Sequence, residues 1–243
     1  MKLFQYWDTG DPPDDVAACI ASAREYNSEM DHRLFDQDSG AHFLGKYVGP
    51  RERKVFLTLA VPAMQADYLR LGVLWAKGGI WNDADNLSVA PFRTLIEQAP
   101  GGYISMLANL LQTDLLFVPK AGSPFFRACL ELATRHIEAR MVGDATEVTG
   151  PGVLNLLWAA VDSKGAHEDP HRARDPALSP TAEARAVAAL YPDAGMAFAQ
   201  LERRHDIWTG QWVKTSIPAY KSTPKDWRRF RGPIYRRRYT SQI

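Results

Sequence analysis

The sequence predicts an α/β fold in which helices cover a central sheet. Short apolar segments typical of strands alternate with stretches of helical periodicity along the whole chain. Of the 243 residues, 46% are hydrophobic and 11% aromatic, which is enough to bury one sizeable core. These observations exclude global disorder and favour one large domain, which we expect at residues 1–220.

In the first half of the chain, turn residues and prolines set the expected order of elements. A first strand leads into the turn Asp8–Pro13, and proline suits a first helical turn, so a helix follows to about Asn27. A second strand and a short helix come next, and Gly78-Gly79 ends a long, strongly periodic helix. We expect strands at 2–7, 32–36 and 80–82, the short helix from residue 39, and the long helix at 61–77.

The second half continues the alternation and then becomes irregular. Two strands are expected at 103–106 and 115–118, and proline-initiated helices at 124–142 and 151–161. The polar stretch 162–180 predicts a surface loop before a short helix at 181–190, and the chain beyond it is irregular, aromatic and basic.

Charge is unevenly distributed, although the formal net charge is only +1. Residues 221–243 contain eight Lys or Arg and one Asp, interleaved with aromatic residues, whereas residues 1–220 are net acidic. We interpret 221–243 as a separate tail that contacts an anionic membrane surface, where each base contributes about 1 kcal/mol. A solvated tail, or a strap across the acidic body, is the alternative. No motif supports nucleic-acid binding.

The chain has only two cysteines, Cys19 and Cys129, in apolar stretches without metal-ligand spacing. They favour reduced thiols in a cytoplasmic protein. The apolar run after Met1 is too short for a signal peptide, and no stretch approaches the length of a membrane span.

Asp83 and Asp85 form an acid pair that follows a short extended segment. In extended backbone, residues two apart point to the same side, so both carboxylates can face one ion while Ala84 faces the core. Carboxylate oxygens suit Mn²⁺ or Mg²⁺, which keep positions open for phosphate oxygens. An ordinary polar turn after a buried strand is the alternative.

Asp67 and Arg70 lie three residues apart on the long helix and therefore share a face. Alone they indicate a surface ion pair worth about 0.3–0.5 kcal/mol. Because the helix leads through Gly78-Gly79 directly to Asp83, both can instead line the same pocket as the acid pair. Asp67 could then accept hydrogen bonds from sugar hydroxyls, and Arg70 could bind a hydroxyl or a phosphate oxygen.

Asp67-Tyr68-Leu69-Arg70, followed by Gly78-Gly79-Ile80-Trp81-Asn82-Asp83-Ala84-Asp85, closely resembles the DXD glycosyltransferases of family 32. The glucosyltransferase domains of large bacterial cytotoxins show the same spacing. Ala66 stands where the family commonly has Ser, and Trp81 where it commonly has Tyr. Neither difference removes a metal ligand.

Further stretches between residues 2 and 212 resemble family motifs and occur in the same order as in the family. They include Gln5-Tyr6-Trp7, Asn109, Pro119–Phe125, the Thr-Gly-Pro turn at Thr149-Gly150-Pro151, and the stretch His205-Asp206-Ile207-Trp208-Thr209-Gly210-Gln211-Trp212.

The resemblance implies a GT-A fold, a Rossmann-like nucleotide-sugar domain with a mixed sheet. It implies a retaining, metal-dependent glycosyltransferase that uses a nucleotide-sugar donor, with UDP favoured. The acceptor would be a saccharide or a lipid-linked molecule in bacterial surface polysaccharide synthesis. With the basic tail, this predicts a cytoplasmic protein that could act at the inner face of the plasma membrane.

The resemblance also distributes roles among residues. The catalytic residues would be Asp67, Arg70, Asp83 and Asp85, and His205 would join the acid pair as a ligand of Mn²⁺ or Mg²⁺. Trp7 would stack on the base, and Trp212 would donate its indole N–H to the diphosphate. The remaining donor-binding residues would be Gln5, Tyr6, Trp81, Asn109, Gly150 and Gln211.

Two other functions share part of this pattern. Phosphatases of the haloacid dehalogenase type also carry Asp-x-Asp, but after a long apolar first strand. A non-catalytic module that binds nucleotide or membrane would typically have lost Asp83 or Asp85, and the chain keeps both.

Overall fold

A computed structural model describes residues 1–107, 109–162, 180–204, 210–215, 218–223, 226 and 228–236. The strands within these residues are β1 (Lys2–Tyr6), β2 (Asp31–Phe35), β3 (Gly79–Asn82), β4 (Asn86–Ser88), β5 (Tyr103–Leu107), β6 (Leu110–Val118), β7 (Glu202–Arg204) and β8 (Val213–Thr215). The helices are α1 (Asp14–Tyr26), α2 (Gln37–Tyr47), α3 (Pro50–Thr58), α4 (Pro62–Lys77), α5 (Phe92–Gln98), α6 (Pro124–Glu138), α7 (Ala145–Val148), α8 (Pro151–Val161), α9 (Ala182–Leu190) and α10 (Ala194–Ala199). A 3₁₀ turn follows at Ala219–Ser222.

The central sheet is mixed and has the strand order β2-β1-β3-β6-β5-β7 in the part of the chain described. Strand β1 runs parallel to β2 and β3, and β6 runs antiparallel to both β3 and β5. Because β1 and β3 are parallel neighbours, the residues that follow them, Trp7 and Asp83, emerge at the same end of the sheet.

Strand residues alternate between two cores, as the period of two requires. Phe4 and Trp81 face the larger core beneath α4, α6 and α8, while their neighbours Leu3 and Ile80 face a smaller core that includes Phe92 of α5. Helices therefore cover both faces of the sheet, which confirms the predicted α/β architecture.

Gly78-Gly79 joins α4 to β3 in a backbone conformation that favours glycine. Their φ angles are +62° and +100°, in the left-handed region. A Cβ on Gly79 would lie 2.8 Å from the Lys2 carbonyl oxygen, and one on Gly78 would lie 2.9 Å from that of Val118. The turn brings β3 against its neighbouring strands and delivers Asp83 to the end of the sheet.

The element boundaries differ from expectation in several places. Helices α3, α5, α7 and α10 and strands β4, β7 and β8 were not predicted, and β6 begins at Leu110 rather than at 115. Helix α6 ends at Glu138, because Arg140 takes a left-handed φ of +49°. Most of the expected loop 162–180 lies outside the described residues.

Residues 218–223, 226 and 228–236, here called the C-terminal segment, pack on the body. The backbone N–H of Ala60 donates to Ile234 at 2.9 Å, and that of Arg236 donates to Thr58 at 2.7 Å. The Tyr235 hydroxyl donates to the Met141 carbonyl oxygen at 2.9 Å. The expected boundary between domain and tail, at residue 220, lies within this segment. Among the described residues, no helix has the length and apolar character that crossing a membrane requires.

Candidate functional site

A cavity of about 1060 Å³ opens at the end of the sheet where β1 and β3 finish. Its lining includes Trp7, Asp67, Arg70, Asp83 and Asp85. The structure therefore brings together the helix pair, the acid pair and the tryptophan that the sequence analysis selected. The C-terminal segment forms part of the opposite wall, through Tyr220, Lys221, Arg228 and Phe230.

Asp83 is held by groups from α4 and β3. Arg70 Nη2 donates to Asp83 Oδ1 at 2.7 Å, and the indole N–H of Trp81 donates to the same oxygen at 2.8 Å. The Arg70 guanidinium also lies 3.1 Å from Asp67 Oδ1, and its side chain is only 3% exposed. Arg70 is thus a buried cation between two carboxylates, not half of the surface ion pair that the spacing alone indicates.

Asp67 faces the start of α8. The Thr149 hydroxyl donates to Asp67 Oδ2 at 3.4 Å, and a Cβ on Gly150 would lie 3.0 Å from that oxygen. Glycine at 150 leaves room for the carboxylate, which gives this expected donor-site residue a steric role beside Asp67.

Asp83 and Asp85 lie in a turn, since β3 ends at Asn82 and the Asn86 N–H donates to the Asp83 carbonyl oxygen at 3.0 Å. The expectation that strand alternation aligns the two carboxylates was therefore wrong in its geometry. Ala84 between them is buried against α1, as predicted, while both acids face the cavity.

Asp85 is held by the C-terminal segment. The Tyr220 hydroxyl donates to Asp85 Oδ2 at 2.9 Å, and Lys221 Nζ lies 2.6 Å from the same oxygen. Neither residue was predicted as part of the site, because Lys221 begins what the composition marks as a basic tail and Tyr220 directly precedes it.

Asp114 of β6 is a further acid at the cavity that the sequence analysis missed. Its carbonyl oxygen accepts from the Asp83 N–H at 2.9 Å, and its carboxylate interacts electrostatically with Arg70 and Asp85. The available signal was a charged residue inside the otherwise largely apolar run Leu110–Val118.

Burial raises the pKa of three of the acids, Asp67, Asp83 and Asp114. The pKa of Asp67 rises to about 6, mainly because burial disfavours the charged form, while Arg70 opposes the shift. Burial also raises the pKa of Asp83 and Asp114, with Arg70 again lowering both. The acids repel one another, and Arg70 offsets only part of the cost of ionising all of them.

Two aromatic residues at the end of β1 also line the cavity. Trp7 is half-buried and meets Tyr220 edge to face, with ring centroids 5.2 Å apart. The Tyr6 hydroxyl donates to Gln65 Oε1 at 2.7 Å.

Gln5 and Trp81 lie behind the cavity wall. Gln5 Nε2 donates to the Asp83 carbonyl oxygen at 3.4 Å, and its Oε1 lies 2.9 Å from His32 Nε2. Trp81 is fully buried, and its indole N–H donates to Asp83 Oδ1. Both residues position Asp83 rather than face the space where a donor would bind.

Three other expected donor-site residues do not line the cavity. Trp212 is buried in the smaller core and its indole N–H donates to Thr94 Oγ1 at 2.9 Å, so it does not point at the diphosphate position as predicted. Exposed Gln211 donates to Gln98 Oε1 at 3.4 Å. Asn109 lies at the β5–β6 turn with a φ of +65°. His205, the expected third metal ligand, lies outside the described residues.

Comparison with known proteins supports the class of protein that this site defines. Residues 13–101, rather more than a third of the chain, match the family described as "Glycosyltransferase sugar-binding region containing DXD motif". The chain therefore carries such a region, and the family match confirms the resemblance and the expected enzyme class, a glycosyltransferase. No curated protein matches the chain.

A solved structure described as "PaToxG Glycosyltransferase" has a similar fold. The TM-score is 0.50 at 15% sequence identity, and the similarity covers 88% of this chain and 87% of that one. At this identity the likeness concerns the fold, and it confirms the predicted GT-A type.

The DXD motif of the matched family implies a divalent metal ion, and the charges at the cavity fit one. Around the acid pair, the carboxylates of Asp67, Asp83, Asp85 and Asp114 lie near the cations Arg70 and Lys221. The excess of negative charge matches a divalent cation, and carboxylate oxygens suit Mn²⁺ and Mg²⁺. Within the described residues, no three acidic, His or Cys side chains are already grouped around one point.

Proposed function

We propose that the cavity binds a nucleoside-diphosphate sugar, with UDP favoured, and that the chain transfers the sugar with retention of anomeric configuration. The observation that carries this proposal is the convergence of Asp67, Arg70, Asp83 and Asp85 on one cavity beside Trp7. Ligand pockets commonly measure about 300–1,000 Å³, so a cavity of about 1060 Å³ is large enough for such a donor.

The residues suggest how the donor lies. Trp7 offers an aromatic surface for the base, and Asp83 and Asp85 would hold Mn²⁺ or Mg²⁺ next to the diphosphate. Asp67 Oδ1 and Oδ2, on the side of the site toward α8, can accept hydrogen bonds from sugar hydroxyls. Arg70 favours the ionised form of Asp83 and directs the carboxylate at the cavity, since its guanidinium binds both Asp67 and Asp83.

In the reaction, negative charge develops on the departing nucleoside diphosphate. The bound metal ion would supply Lewis-acid stabilisation of that charge. Arg70 and Trp81 hold Asp83 in one orientation, so its carboxylate needs little rearrangement as the charge develops. We assign no side chain as general base, because in retaining enzymes of this fold a donor phosphate oxygen can accept the proton of the acceptor.

Hydrolysis of a panel of UDP- and GDP-sugars with Mn²⁺ tests the proposal. We expect slow release of the nucleotide from one donor, which stops when EDTA removes the ion. Cleavage of p-nitrophenyl phosphate without turnover of any nucleotide sugar would indicate the phosphatase alternative. Binding of UDP without turnover of any donor in the presence of candidate acceptors would indicate the non-catalytic module.

The acceptor and the cellular location are further parts of the proposal. We propose a saccharide or lipid-linked acceptor of bacterial surface polysaccharide synthesis and a position at the cytoplasmic face of the plasma membrane. Exposed Arg229 and Arg231 in the C-terminal segment support contact with anionic lipid. Co-sedimentation with phosphatidylglycerol vesicles should decrease in a variant carrying Arg229→Gln and Arg231→Gln, whereas unchanged sedimentation would remove the membrane proposal.

A further inference from the structure

Lys221, in the C-terminal segment, forms an ion pair with Asp85 of the acid pair. Its ammonium lies 2.6 Å from Asp85 Oδ2, and the side chain is only 18% exposed. The Tyr220 hydroxyl donates to the same oxygen at 2.9 Å. One carboxylate oxygen of the DXD motif therefore has an internal cationic partner as well as a neutral one.

An ammonium group and a divalent cation compete for this oxygen. Both are positive, and two cations that contact the same oxygen lie only a few ångströms apart. Their repulsion is therefore large in a partly buried site. Asp85 Oδ2 can serve as a metal ligand only when Lys221 turns away from it.

The surrounding structure restricts the required change to the lysine side chain. The Ala219 N–H donates to Asp15 Oδ2 at 2.6 Å, and the Tyr220 ring packs against Trp7. The two residues directly before Lys221 are thus attached to α1 and to the end of β1. Lysine carries its charge on a flexible four-carbon stem, so the ammonium can move while the turn stays in place.

We propose that Lys221 is an exchangeable counter-ion: it pairs with Asp85 in the empty site and binds the diphosphate of the donor when a divalent ion takes Asp85. This inference rests on the proposed function, because it needs a donor with a diphosphate group. Lys221 then has opposite effects on the two ligands, weakening the binding of the ion alone and strengthening the binding of the nucleotide with the ion.

The test compares two affinities in Lys221→Met. Binding of Mn²⁺ alone is measured by electron paramagnetic resonance, and binding of UDP at saturating Mn²⁺ by calorimetry. We expect Mn²⁺ to bind about tenfold more tightly and UDP about tenfold more weakly, the scale of one charged hydrogen bond in each direction. Lys221→Arg should keep both affinities closer to those of the wild type, and Lys120→Met, on an exposed turn, should change neither.

Opposite signs would distinguish exchange from a purely structural role. If both affinities of Lys221→Met fall together, or if neither changes while its melting temperature matches the wild type, the exchange is overturned and the proposed function stands. If the wild type binds neither Mn²⁺ nor UDP, the proposed function fails and the exchange fails with it. Should Lys221→Met not fold, the same comparison is made with Lys221→Gln and Lys221→Arg.

Discussion

The two aspartates of the DXD motif are two residues apart, but different regions of the molecule hold them. Asp83 receives its partners from α4 and β3, a unit of residues 62–83 in which Arg70 and Trp81 are close in sequence. Asp85 receives Tyr220 from 135 residues further along the chain. The Asp83 carboxylate is thus positioned by local structure, and the Asp85 carboxylate depends on the packing of the C-terminal segment beside the cavity.

The largest expected effect concerns the local unit. Arg70→Leu leaves Asp67 and Asp83 without their buried cation, and breaking a buried pair in this way costs about 3–5 kcal/mol in the free energy of unfolding. Urea denaturation without divalent ions measures it.

Arg93→Leu is the matched control, because Arg93 pairs with Glu97 at the surface and is 77% exposed. An exposed pair contributes at most about 1 kcal/mol. Equal losses in the two variants would show that the buried network around Asp83 does not stabilise the local unit.

Asp85→Asn tests the carboxylate that the C-terminal segment holds. Asparagine keeps the shape but removes the charge, so we expect sugar transfer to fall about 10²–10³-fold, corresponding to about 3–4 kcal/mol at the barrier. The variant should stay folded without ion, with a melting temperature somewhat lowered because Lys221 loses its carboxylate partner. Asp38→Asn, at an exposed position on α2, should keep full activity. Near-normal turnover of Asp85→Asn with Mn²⁺ would refute its role as a ligand.

Trp7→Ala examines the contact between the end of β1 and the C-terminal segment. Stacking of a base on an aromatic ring contributes about 1–3 kcal/mol, so UDP affinity should fall by that amount, with a smaller fall in Trp7→Phe. Calorimetry with saturating Mn²⁺ measures both. Unchanged affinity in Trp7→Ala would remove Trp7 as the base platform.

The smallest effect is a pH dependence within the local unit. The pKa of Asp67 is about 6 in the folded protein, above its unfolded value, so its contribution to stability is present at low pH and lost as pH rises through 6. When the pH rises from 4.5 to 7, the free energy of unfolding should decrease in both proteins. We expect this decrease to be about 1–2 kcal/mol smaller in Asp67→Asn than in the wild type. Urea denaturation with EDTA at each pH measures the difference, and identical pH profiles would contradict the shifted pKa.

The parts of the site predicted from sequence are those that short-range rules define. Helical spacing placed Asp67 and Arg70 on one face, and the Gly78-Gly79 turn connected them to Asp83. The alternation of apolar and turn segments likewise predicted α4, β1 and the mixed α/β layers.

The missed residues depend on contacts between distant segments. Asp114 reaches the site through antiparallel pairing of β6 with β3, and Lys221 through the fold of the C-terminal segment. Trp212 shows the converse error. It matches the family motif, yet it lies directly before β8, where its carbonyl oxygen accepts from the Val89 N–H at 2.8 Å and its side chain packs in the smaller core. Motif order does not determine which core a side chain enters.

Mn²⁺ binding in the presence of UDP tests most directly the claim that Asp83 and Asp85 jointly hold a divalent ion at the diphosphate. We predict one Mn²⁺ per wild-type chain, detected by electron paramagnetic resonance and tightened by UDP. Both Asp83→Asn and Asp85→Asn should lose this binding, while Asp38→Asn retains it. Wild-type affinity for Mn²⁺ in either DXD variant would contradict the claim.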